Sequence, residues 1–93
     1  MGKIYVGDVG TEIILDCGVD ISNATVREIV ARKPNGQVVT WTAIASGTNA
    51  IKRTVLAGDI DVAGRWMLQA KVVTPTWSGL GETFSIIVYN AFG

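Results

Sequence analysis

The sequence predicts an all-β fold in which two sheets pack face to face, built from seven or eight short strands. Apolar residues do not recur at helical spacing; they alternate, most clearly in 65–73, where Trp66, Leu68, Ala70 and Val72 interleave with Arg65, Met67, Gln69 and Lys71. Turn-forming residues recur roughly every ten positions, drawing on eleven glycines and two prolines. A length of 93 residues suits one domain, 1–93, with a single modest core.

Residues 3–6 (KIYV) read as a short first strand, closed by the GDVG turn at 7–10. Residues 11–17 form the next, with Ile13, Leu15 and Cys17 on one face, and 18–24 is a polar connector. The third strand, 25–33, ends at Pro34-Asn35-Gly36, where Pro presets φ and Asn-Gly accepts the turn. Residues 38–45 pair back as a hairpin that places Val39, Trp41, Ala43 and Ala45 on one face. Residues 46–49 turn the chain into a strand at 50–56, and 58–64 is an acidic corner. A long strand at 65–73, a loop at 74–81 and a last strand at 82–89 complete the order.

A tryptophan two residues after Gly64, at the entrance of the 65–73 strand, needs a reason. In immunoglobulin-like sandwiches an aromatic begins strand F and fixes the E–F corner, and the inward residue two further on faces strand B. The corner aromatic here is Trp66, the inward residue Leu68, and its strand-B counterpart Cys17. The expected fold is therefore an immunoglobulin-like β-sandwich whose structural core includes Cys17, Trp66 and Leu68. With one cysteine there is no disulfide, and Cys17 is expected to pack as a small hydrophobe.

The segments KIYVGDVGTEIILD, DISNATVREIVARKPNGQVVTWTA and AGDIDVAGRWMLQAKV, with the late GETFSIIVY, resemble small virion proteins of tailed phages and prophages. They are similar to the immunoglobulin-like N-terminal domain of phage upper baseplate proteins. The shared features are the KPNG hairpin, residues 59–64 followed by an aromatic, and the GET strand. The resemblance implies a virion location after synthesis in the host cytoplasm. Upper baseplate proteins continue into shafts and receptor-binding modules, whereas this sequence stops at Gly93, so the receptor-binding arm itself is not expected.

Eight basic residues balance eight acidic ones, which gives no electrostatic reason to expect nucleic acid or an anionic membrane. The opening MGKIYVGDVG lacks a basic and apolar leader, so no signal peptide is expected, and no apolar run approaches a membrane span. Charged residues are 17% of the chain, below the usual figure of about 25%, which favours an assembly component.

No enzyme is expected, and no cofactor. Histidine, the commonest general base and zinc ligand, is absent, and no serine sits in a GxSxG setting. The turns GLGET and GDVGTE lack a P-loop lysine. Asp59 and Asp61, with Asp8 or Asp20 nearby, are candidate calcium ligands, but short acids at a corner more often cap the backbone, so no metal is assigned.

Trp77, in PTWSGLG, is expected on an exposed loop with Leu80, as an anchor for a partner or a stacking platform for a sugar. If Trp66 and Leu68 point inward, Met67 and Val73 point out; likewise Ile87 and Tyr89 on the last strand. Met67, Val73, Trp77, Leu80, Ile87 and Tyr89 are therefore the expected interaction surface, the four strand residues as one apolar patch. The function expected is a structural component of a tailed-phage virion: a tail, baseplate or neck adaptor, or a head decoration. Its partners would be other virion proteins and copies of itself. The alternative is a carbohydrate-binding module for host glycan, using Trp77 with Tyr5 or Tyr89.

Overall fold

The structure, a computed structural model, describes residues 3–90 and 92. Among these there are eight strands and no helix: β1 (Ile4–Tyr5), β2 (Glu12–Asp16), β3 (Val26–Arg32), β4 (Val38–Thr42), β5 (Ile44–Ser46), β6 (Ala50–Thr54), β7 (Gly64–Val73) and β8 (Ser78–Tyr89). They form a five-stranded sheet in the order β1-β8-β7-β3-β4 and a three-stranded sheet in the order β2-β6-β5. All pairings are antiparallel except β1 with β8, which run parallel through Ile4↔Val88 and Tyr5↔Tyr89.

One hydrophobic cluster draws on both sheets. Ile13, Leu15 and Ile51 come from the smaller sheet; Ile29, Ala31, Trp41, Leu68, Ala70, Val72 and Val88 come from the larger. Trp66 is wholly buried at its centre and lies 5.9 Å from Trp41, ring to ring. The alternation of 65–73 thus sets which face of β7 is inside, and burying its apolar side is worth about 25 cal/mol per Å².

Two elements differ from expectation. The segment 38–45 is not one strand. Ala43 donates its N–H to the Arg27 carbonyl at 2.9 Å, and the next residue, Ile44, pairs with Lys52 of the other sheet. The chain therefore crosses from one sheet to the other at Ala43, and the expected inward series ends there, because Ala45 is exposed. The segment 74–81 is not a loop. Thr74 and Trp77 close a tight turn and β8 starts at Ser78, with a register shift opposite Gln69–Lys71 that absorbs the extra residue.

The KPNG hairpin and the acidic corner pack on each other. Asn35 Oδ1 accepts from the Gln37 N–H at 2.9 Å and Lys33 N–H donates to the Gln37 carbonyl at 2.8 Å, which closes the turn. Lys33 Nζ then reaches Asp61 at 2.8 Å and lies 5.8 Å above the Trp66 ring. Pro34 lies against Gly64, where an added Cβ would sit 2.7 Å from Pro34 Cγ. Gly64 also has φ of 129°, which side chains rarely adopt, so both backbone shape and space require glycine there.

Candidate functional site

A cleft of about 730 Å³ opens where the β7–β8 turn meets the connector after β2. Its lining includes Cys17, Val19, Ile21, Trp77 and Leu80, with Asp20, Asn23, Thr74 and Thr76 supplying polar groups. The connector is held by backbone bonds from Cys17 N–H to the Asn49 carbonyl and from Ile21 N–H to the Thr48 carbonyl, both 2.7 Å. These bonds seat Ile21 in the core, 1% exposed.

Trp77 is fixed at both ends. Its N–H donates to Thr74 Oγ1 at 3.0 Å, and its carbonyl accepts from the Thr74 N–H at 2.6 Å. Its indole occupies the space beside Gly79: a Cβ there would come 3.1 Å from the ring. The side chain nonetheless stays 46% exposed. Asp20 Oδ1 accepts from the Ser22 N–H at 2.8 Å, and that bond holds the Asp20 carboxyl below its ordinary pKa. Among the described residues no cation lines the cleft and the Asp20 carboxylate does, so the lining disfavours anions and offers an apolar face beside polar groups.

Cys17 lies one residue beyond β2 and is half-buried, packed against the core and lining this cleft. The fully buried position expected of Cys17 is therefore corrected: Leu68 is fully buried, while Cys17 is half-buried where the connector leaves the sheet. Burial, and then the neighbouring Asp16 charge, push the Cys17 thiol pKa up, so it is a weak nucleophile.

Met67, Ile87 and Tyr89 share the outer face of the larger sheet, with Met67 diagonal to Ile87, but Val73 does not join them in one patch. Register puts Met67 in a row with Val38, Arg32 and Ser85 on the outer face of the larger sheet. Ile87, 43% exposed, stands opposite Arg65, and the Tyr89 ring packs tilted against Tyr5 at 6.1 Å, centroid to centroid, at the β1 edge. Val73 is opposite Ser78, at the far end of β7, about 20 Å from Met67 at strand rise. Gln69, Lys71 and Thr83 separate the two ends. Trp77 and Leu80 belong to the cleft.

Met67 instead lines a groove of about 400 Å³ with Val30, Arg32, Val38, Gln69 and Thr83. On the three-stranded sheet, Ile14 and Ile44 flank Lys52 in one register row and are 55% and 59% exposed. The sequence reading passed over Ile14 and Ile44, although the phasing that places Ile13 and Leu15 inward places Ile14 outward. Val19 and Ile21 were hidden in a stretch that reads as polar.

The corner acids cap and pair. Asp59 Oδ2 accepts from the Leu56 N–H at 2.8 Å and from Arg53 Nη2 at 2.9 Å, and Asp61 pairs with Lys33. Asp8 Oδ2 accepts from the Tyr5 N–H at 3.2 Å. Among the described residues no three potential metal ligands converge.

Comparison of the chain with models of protein families, with curated proteins and with solved structures gives no match.

Proposed function

We propose that the chain is an immunoglobulin-like, non-enzymatic structural component of a tailed-phage virion, working by protein–protein contact as a tail, baseplate or neck adaptor or a head decoration. The strand order supports the immunoglobulin-like part: β2, β6 and β5 correspond to strands B, E and D of one sheet, and β3, β7 and β8 to C, F and G of the other. Trp66 stands where the corner aromatic of strand F belongs.

The observation that carries the assembly reading is that both sheets expose large apolar side chains on their outer faces, Val38 and Ile87 on one and Ile14 and Ile44 on the other. Such exposure in a chain of zero net charge favours association. The virion part rests on the resemblance of the KPNG hairpin, the acidic corner and the GET strand. Particles assembled with Ile87→Lys or Met67→Glu protein test it. Folded variants should be excluded, because a charge would be stranded in an apolar contact. Incorporation at the wild-type level would overturn this placement of the contact, and absence of the wild-type protein from particles would overturn the virion reading.

Trp77 favours a second reading, a carbohydrate-binding module. Half of an indole is left open beside Asp20, Asn23 and Thr76 in a preformed cleft. Saturable quenching of tryptophan fluorescence by neutral glycans, lost in Trp77→Ala, would support it; a flat titration would remove it.

A further inference from the structure

The two outer faces differ in charge as well as shape. On the five-stranded face, Lys71 lies 4.0 Å from Glu28 and the two offset each other. Arg32 and Arg65 on that face are exposed and have no ion pair among the described residues. On the three-stranded face, Glu12 pairs with Lys52 at 3.1 Å, and Asp16 is exposed without an ion pair among the described residues. Among the described side chains one face is therefore net positive and the other net negative, in a molecule of zero net charge.

The apolar features also match. Arg32 borders the groove formed with Val30, Val38 and Met67, while Ile14 and Ile44 project from the acidic face on either side of Lys52. We propose that the five-stranded face of one copy docks on the three-stranded face of a second, with Ile14 and Ile44 in the groove and the acids Glu12 and Asp16 toward Arg32 and Arg65. This deepens the assembly reading and rests on it.

Charge selects this pairing over the two symmetric ones. Two five-stranded faces would oppose arginines to arginines, and two three-stranded faces would oppose carboxylates, each repulsive once desolvated. Because the docking is heterologous, each copy keeps one face free, and growth continues into a ring or a stack.

The test is sedimentation of the isolated protein, which needs no particle. Wild type should self-associate in a concentration-dependent manner, at least tenfold more weakly at high salt than at low salt. The double variants Arg32→Glu/Arg65→Glu and Glu12→Arg/Asp16→Arg, checked for folding by circular dichroism, should each stay monomeric, and mixing them should restore association. A wild type monomeric at millimolar concentration, variants that associate like wild type, or a mixture that stays monomeric would each overturn the pairing. The virion reading would stand or fall separately, on incorporation.

Discussion

Trp66 donates its indole N–H to the carbonyl of Val62 at 3.0 Å, so the aromatic that fills the centre of the core also ties down the corner four residues before it. Removing the ring and removing only the bond should differ. Trp66→Ala should cost about 3–5 kcal/mol through the cavity, a large share of the stability of so small a domain. Trp66→Phe keeps much of the packing but leaves the Val62 carbonyl without its donor, and should cost about 1–3 kcal/mol. Urea denaturation of the two variants measures the difference; a loss near zero in Trp66→Phe would mean that the hydrogen bond contributes nothing.

Gly64→Ala should destabilise by about 1–3 kcal/mol, from a backbone shape hostile to side chains and from collision with Pro34. The two causes separate in a double-mutant cycle. In a Pro34→Gly background the collision is absent, and the residual cost of Gly64→Ala reports the backbone alone. Additive effects would show that Pro34 does not press on the corner.

The two aspartates of the corner should behave differently. Asp59 shares a pair with Arg53 in which both side chains are under one-fifth exposed, and it also accepts from the Leu56 N–H. Asp59→Ala should cost about 1.5–3 kcal/mol, as for other charged hydrogen bonds. Asp61 is 48% exposed and makes one ion pair, so Asp61→Ala should cost less, about 1 kcal/mol, part of it from leaving Lys33, only 9% exposed, without that carboxylate. Thermal melts of the pair at one pH decide the ranking.

Cys17 should alkylate slowly in the folded protein, with a pH–rate profile displaced to higher pH than that of the urea-unfolded chain. Its folded pKa is raised, so the folded state holds the thiol proton through the interval above the unfolded pKa. The sign follows: this contribution to stability is present below the unfolded thiol pKa and declines as pH rises through the folded one. Coincident profiles for iodoacetamide would place Cys17 in bulk water.

The strand pattern was legible wherever side-chain alternation coincided with hydrogen bonding. In β7 the run from Trp66 to Val72 announces its buried face, and Gly64 with Trp66 announces the corner. Alternation says nothing about which strand lies alongside. Val39, Trp41, Ala43 and Ala45 keep one apolar period in the sequence, yet the chain changes sheet at Ala43 and Ala45 is exposed, so the crossing leaves no mark in the sequence. The start of β8 was masked for another reason. Gly79 and Gly81 read as loop residues, yet Gly79 makes room for the Trp77 indole and Gly81 lies over Ala70. Of the surface residues, Ile87 could be phased from its own strand. The separation of Met67 from Val73 depended on strand length and on the polar residues between them, and the cleft depended on how the connector folds back.

The parallel pairing of β1 with β8 has a mechanical consequence. Ile4 and Tyr5 run beside Val88 and Tyr89 in the same direction, and the Val6 N–H adds a bond to the Tyr89 carbonyl at 2.9 Å. Tension applied through the chain before Ile4 and after Tyr89 pulls these neighbours in opposite senses along their common axis. The bonds between them are then loaded together in shear instead of being opened one at a time. A chain tethered at both flanks thus meets load first at a clasp only two strand residues long, and the sheet behind it stays unstrained until that clasp gives way.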